Sequence, residues 1–227
     1  MMNRRMMSRH MINLPRRTFA LFAFLAIAGF AVVAIASGPV TERVAHNAGT
    51  PQTAVFAGGC FWGVDAVFKH VKGVSQVVSG YSGGNASTAQ YEVVSSGTTG
   101  HAESVEVTYD PSQVSYSDLL KVFFYAAHDP TELNRQGPDS GSQYRSAIFY
   151  TNADQKKIAD AYIAQLDQAK VFSEPIVTQV VPLKGFFPAE GYHQNFLARH
   201  PDNPYIVIND LPKLDLLHEK FPQLSHP

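Results

Sequence analysis

The chain of 227 residues contains one cysteine, Cys60. No internal disulfide can form, so the fold must be held together by its hydrophobic core. The composition supplies one: 45% of residues are apolar and 16% are charged, values of a globular protein rather than a disordered one. A lone thiol is also either a small buried hydrophobe or a reactive group, and its surroundings decide which.

The two ends of the chain differ in charge. Residues 1–36 hold five arginines (Arg4, Arg5, Arg9, Arg16, Arg17) and no acid, and from Thr18 to Ala36 the chain is uncharged. Basic residues, an apolar run and the small-x-small exit Ala34-Ile35-Ala36 are the parts of an export signal. The run is also long enough to serve as an uncleaved membrane anchor. In either case the arginines hold the N-terminus in the cytoplasm, and the globular part faces the far side of the membrane. The expected location is therefore periplasmic, free after cleavage or anchored to the inner membrane. Arg16-Arg17-Thr18-Phe19 has a partial twin-arginine form. Without residues 1–36 the chain keeps 13 of its 18 basic residues against 19 acids, a net charge of −6, which disfavours a nucleic-acid binder. All five methionines (Met1, Met2, Met6, Met7, Met11) lie in the same segment, so a processed chain would have none.

The expected organisation is an export signal or anchor over residues 1–36, a Gly/Pro/Thr-containing linker over 37–52 and one folded domain over 53–227. Thr53 to Ala57 favours a strand, and Gly58-Gly59 permits a sharp turn. Cys60 to Val71 places Phe61, Val64, Val67, Phe68 and Val71 at helical spacing. Val74 to Tyr81 reads as a strand, Ser104 to Tyr109 alternates as a half-buried strand, Ser115 to Ala127 is an amphipathic helix and Ser146 to Tyr150 is a strand. The order β-α-β-β-α-β predicts an α+β protein, a ferredoxin-like split βαβ two-layer sandwich with extra C-terminal helices and coil. Those additions comprise a helix from the Asn152 cap to about Ala169, a strand over Ile176 to Val181, and helices over Ala189 to Arg199 and Lys213 to Lys220.

Cys60 follows two glycines and opens a helix, where unpaired N–H groups and the positive helix end favour a thiolate; its pKa is expected below the reference of about 8.5. Phe61 and the only tryptophan, Trp62, follow directly. The nine histidines show no metal-ligand spacing, and one cysteine cannot build a sulfur-rich centre, so no metal is expected. The glycine pairs lack a P-loop or dinucleotide frame, and no nucleotide cofactor is expected.

Gly58-Gly59-Cys60-Phe61-Trp62-Gly63 resembles the signature of the A-type peptide methionine sulfoxide reductases. Further matching segments follow in order: Gly80-Tyr81-Ser82-Gly83-Gly84, Gly100-His101-Ala102-Glu103, Asn134-Arg135-Gln136-Gly137, Gln143-Tyr144-Arg145-Ser146 and Tyr192-His193-Gln194. The resemblance runs from Thr53 to Phe221. It implies that Cys60 is the nucleophile and Glu103 the acid, that Tyr91, Asp139 and Tyr144 surround the sulfoxide oxygen, and that Phe61 and Trp62 form an apolar wall for the substrate methyl. The substrates it implies are methionine sulfoxide in proteins and as the free amino acid, of the S epimer. The chemistry suits these residue types, because a thiolate attacks sulfur while the departing oxygen needs a proton. Many family members carry further cysteines near the C-terminus, but Pro201 to Pro227 has none. An external thiol or a thioredoxin-like reductant must then recycle the enzyme.

Each of these residues also has an ordinary structural explanation. Glu103 can be a solvated residue at a strand start, Tyr91 and Tyr144 core tyrosines, and Asp139 a turn former in Gly137-Pro138-Asp139-Ser140-Gly141. Two other functions remain open from the sequence. One is a thiol hydrolase or acyltransferase pairing Cys60 with His101 or His193, with Asp139 as orienter. The other is an anchored interaction domain presenting Phe61, Trp62, Phe186 and Phe187.

Overall fold

The computed structural model describes residues 49–226. Over them run β1 (Gln52–Gly58), α1 (Phe61–Lys69), β2 (Val74–Ser82), β3 (Ala102–Tyr109), α2 (Tyr116–Val122), β4 (Ser146–Tyr150), α3 (Ala153–Gln168), β5 (Gln179–Pro182), β6 (Phe186–Pro188) and α4 (Leu211–Lys220). The expected export segment, and all but the end of the expected linker, lie outside the described residues. Among the described residues no helix is long and apolar enough to cross a membrane.

β1 shows why the sheet forms where it does. Its alternate side chains enter two cores: Ala54 and Phe56 the larger, Val55 and Ala57 the smaller. Burial on both faces belongs to a central strand, and β1 pairs antiparallel with β3 on one side and β4 on the other. On the larger core's side Phe56 stacks against Phe68 of α1 at 5.0 Å and Phe123 at 4.9 Å between ring centroids. Such pairs add to the area they bury. The smaller core is closed by Val181, Leu183 and Phe186.

The fold is α+β, with six strands in the order β5-β4-β1-β3-β2-β6. The inner four, β4-β1-β3-β2, follow the order of a split βαβ unit. The expected sandwich needs enlarging, because β5 adds in parallel to β4 and β6 adds antiparallel to β2, making the sheet mixed. Both additions are short edge strands ending in proline, Pro182 and Pro188, positions where a missing N–H is tolerated.

Two helical expectations change. Ser115 caps α2 through a reciprocal bond with Asp118, but the helix widens into a π turn over Phe123–Ala127. Of the helix expected over Ala189 to Arg199, only Phe196–Arg199 forms. Asn195 takes a left-handed conformation at φ 55°, and Gln194 bonds both backbone groups of Ser79 on β2, at 3.0 and 2.9 Å. Tertiary bonds replace a helical ladder there, and the segment is pinned to the sheet edge instead.

Candidate active site

β1 ends at Gly58, and the chain turns through Gly59 at φ 88°. A side chain there would be strained, and its Cβ would come within 2.5 Å of the Gln136 Cβ. Gln136 is anchored by accepting the Asp129 N–H at 3.0 Å, and its two-residue hairpin, Arg135–Gln136 with Asp139–Ser140, brings Asp139 to the site. Cys60 then occupies the N-cap of α1 and is 8% exposed.

Glu103 arrives from β3. Strand alternation puts it on the same face as Val105 and Val107, beneath α1. It is 2% exposed, and its Oε2 accepts the Phe61 backbone N–H, the first of the helix, at 3.0 Å. The carboxyl is thus buried rather than solvated. Burial pushes its pKa up to about 8, against the Phe61 N–H, which lowers it, while Asp139 raises it further. At neutral pH the group is mainly a carboxylic acid, a donor.

The remaining expected residues converge on the same place. Cys60, Phe61, Trp62, Tyr91, Glu103, Asp139 and Tyr144 all line one cavity of about 190 Å³, and Tyr205 joins them. Tyr91 is held by its N–H, donated to Glu190 Oε1 at 2.9 Å, while the Tyr81 hydroxyl donates to Oε2 of the same carboxylate at 2.9 Å. Tyr144 is fixed by its neighbour Arg145, whose guanidinium donates to the carbonyls of Gly100 at 2.9 Å and His101 at 3.0 Å. Burial raises the Tyr91 pKa to about 12 and that of Tyr144 further still. Both phenols remain donors. Tyr205 donates its hydroxyl to Asp139 Oδ2, so Asp139 is more than a turn former. The Trp62 indole is clamped by stacking on Phe196 at 3.6 Å, by the edge of Tyr205 at 5.9 Å and by donation from Nε1 to His193 Nδ1 at 3.1 Å.

The sequence singled out neither Tyr205 nor Phe196 for the site. Asn203-Pro204-Tyr205 carries no chemical signature, and only the packing of the C-terminal segment against Trp62 shows that these rings belong to it.

The expectation of a depressed Cys60 pKa is overturned. Burial raises it well above the usual thiol value, and the carboxyls of Glu103 and Asp210 add to the rise; the Trp62 backbone N–H and Lys213 oppose it. The helix N-terminus is present, but Glu103 takes its first N–H.

Neither histidine pairs with the thiol. His101 is a structural residue, its Nδ1 accepting the Gly84 N–H at 3.2 Å and its Nε2 lying 2.9 Å from the Asn85 carbonyl. His193 serves Trp62, and Asp139 serves Tyr205. A hydrolase needs a base hydrogen-bonded to its nucleophile and an orienter behind that base; this site has a proton donor instead. The interaction-surface reading loses Phe61, which is 1% exposed, and Trp62, whose indole lines the cavity and is clamped from within the protein.

A thiol, a neutral carboxylic acid and phenolic donors gathered in an aromatic cavity, with no base on the sulfur among the described residues, fit a cysteine-dependent oxidoreductase better than a transferase. Comparison with known proteins agrees with that class. A family model described as peptide methionine sulfoxide reductase matches residues 52–224. The chain is 62% identical over 173 residues to peptide methionine sulfoxide reductase MsrA 2 of Mesorhizobium japonicum, spanning 76% of this chain and 89% of that protein. It is 53% identical to MsrA 2 of Synechocystis over 78% of this chain and 83% of that protein. Among solved structures, methionine sulfoxide reductase A of Corynebacterium diphtheriae superposes with a TM-score of 0.60 at 33% identity, over 70% of this chain and 78% of that one. Reduced Mxr1 of Saccharomyces cerevisiae does so at 0.61 and 30% identity, over 71% and 92%. The chain belongs to the peptide methionine sulfoxide reductase family, in its A type, the peptide-methionine (S)-S-oxide reductases.

Proposed function

We propose that Cys60 attacks the sulfur of a methionine S-sulfoxide while Glu103 protonates the oxygen, with Tyr91 and Tyr144 donating hydrogen bonds to it. Phe61 and Trp62 contact the substrate methyl, and Asp139 with Tyr205 closes the polar side. The observation that carries this reading is the meeting, in one cavity, of the buried thiol with a carboxyl held protonated by its burial. In the one-proton form of the site, the proton resting on Glu103 leaves the sulfur as thiolate. Substrate favours that arrangement, because its oxygen accepts from Glu103 and its positively polarised sulfur faces Cys60. Two electrons pass from Cys60 to the sulfoxide sulfur, the S–O bond breaks, and the oxygen ends on Cys60 as a sulfenic acid beside a free methionine side chain.

Because the chain has no second cysteine, the sulfenic acid is reduced by an external thiol: a small thiol or a thioredoxin-like partner condenses with it, releases water and leaves a mixed disulfide that a second thiol resolves. The reading extends to free methionine sulfoxide and to exported proteins, supported by the arginine-rich, apolar segment ending at Ala36. We place the catalytic domain at residues 53–227, beyond a cleaved signal or inner-membrane anchor and a linker over 37–52, acting in the periplasm.

The test is a single turnover without reductant. The protein should release one methionine per chain from the S epimer and leave a species trapped by dimedone, and Cys60→Ser should release none. More than one methionine per chain without added thiol, or equal turnover of the R epimer, contradicts the mechanism. N-terminal sequencing of the periplasmic protein should begin at Ser37; a start at Met1 in the membrane fraction favours the anchor.

A further inference from the structure

Asp210 is a second buried carboxyl beside the nucleophile, and the mechanism above does not use it. It ends the π turn Ile206–Asp210 and precedes α4, and it is 0% exposed. Oδ1 accepts from Lys213 Nζ at 3.1 Å, while Oδ2 is fully buried and has no hydrogen-bond partner among the described residues. A buried, unpaired carboxylate oxygen is costly, and such a cost in a folded protein marks a place where something other than stability is being served.

A second observation lies on α1. Any Cβ on Gly63 would fall 2.1 Å from Asp210 Oδ1 and 2.8 Å from Lys213 Nζ. Glycine inside a helix is about 1 kcal/mol worse than alanine, and here it is the residue that lets the ion pair touch the first turn, three residues after Cys60. Two unfavourable local features therefore share one result: a charge pair lies against the helix that carries the nucleophile. The Cys60 sulfur is raised by Asp210 and lowered by Lys213.

We propose that Asp210 and Lys213 are positioning residues that tune the reactivity of Cys60, Lys213 supplying positive charge that favours the thiolate and Asp210 holding that charge in place while opposing its effect on the sulfur. The groups facing the sulfur divide the work. Glu103 from β3, with Asp139 nearby, governs the substrate proton; Tyr91, Tyr144 and Tyr205 are neutral donors around the cavity. The pair at the start of the C-terminal helix, Asp210 before it and Lys213 in its first turn, adjusts the nucleophile without lining the cavity. It gives α4, which in this chain carries no resolving cysteine, a part in the chemistry.

The proposal rests on Cys60 being the nucleophile, and its test does not require turnover. The rate of Cys60 alkylation by iodoacetamide would be followed against pH in the full chain. Asp210→Asn leaves Lys213 unopposed and should move the midpoint down by about half a pH unit or more; Lys213→Gln should move it up by a similar amount, and Lys213→Arg should restore it. A purely structural role for the pair would alter unfolding but leave the midpoints in place. Lys213 is partly solvent-exposed, so its two variants keep the proposal testable if Asp210→Asn does not fold. Midpoints that stay together, or that shift in the same direction, overturn it; loss of methionine release with the shifts intact would instead count against the proposed reaction.

Discussion

Replacing Glu103 by glutamine separates the chemical role of the acid from its structural cost. Burial raises the carboxyl from 4.5 to about 8. Between those values the folded protein holds a proton that the unfolded chain has released, so the unfolded state binds fewer protons and stability falls as pH rises through the window. At about 1.4 kcal/mol per pH unit the cost reaches about 5 kcal/mol above pH 8, about 3 kcal/mol at pH 7 and nothing below about pH 4. Water entering the cavity reduces these figures, which are upper bounds. Glutamine has nearly the same shape, its oxygen can still accept the Phe61 N–H, and it carries no charge. Urea unfolding at pH 7 should show Glu103→Gln more stable than the parent by up to about 3 kcal/mol, with the gap closing by about pH 4. Methionine release in a single turnover should meanwhile fall roughly 10²-fold or more, the scale for loss of a general acid. A variant no more stable at pH 7, or a gap that persists in acid, would refute the neutral buried carboxyl. Release within about threefold of the parent would refute the acid role.

The remaining predictions concern the rest of the site. The reactive form in the proposed mechanism, thiolate with protonated acid, carries one proton between Cys60 and Glu103; kcat/KM should rise with pH to a bend near 8 that belongs to the pair, and a decline between pH 6 and 8 would contradict it. Gly59→Ala forces a side chain into a φ of 88° and against Gln136, and should cost roughly 2 kcal/mol or more in urea unfolding; an unchanged midpoint would show that the hairpin can move aside. Tyr205→Phe removes the hydroxyl that Asp139 accepts and should raise KM several-fold with little change in unfolding, whereas an unchanged KM would place that bond outside substrate binding. Mild peroxide on a chain processed at Ala36 should add oxygen at Cys60 first, since no methionine remains; mass gained at other residues first would show that lacking methionine confers no protection.

Local chemistry was legible in the sequence wherever neighbouring residues act together. The double glycine, the cysteine and the helix after it specify one turn, a β-favouring run marks β1, and period-two and helical spacings specify β3, α1 and α2 without reference to the rest of the chain. The six ordered motifs contain Cys60, Glu103 and Tyr144, and the family resemblance they carry added Tyr91 and Asp139; all five line one cavity in the structure. Sequence patterns did not reveal what depends on packing between distant segments. The Ala189 to Arg199 run has the composition of a helix, but Gln194 bonds a strand more than a hundred residues away, and such tertiary bonds outweigh a weak local preference. Tyr205 and Phe196 reach Trp62 only because the C-terminal segment folds back across α1. The charge state of Cys60 shows the division most clearly. The sequence by itself determined that a lone thiol caps a helix, which argues for a thiolate; the tertiary structure buries that thiol and sets Glu103 and Asp210 near it. Desolvation and two carboxyls outweigh one helix terminus, because an ion's free energy depends on everything within several ångströms of it, and the sequence does not state that neighbourhood.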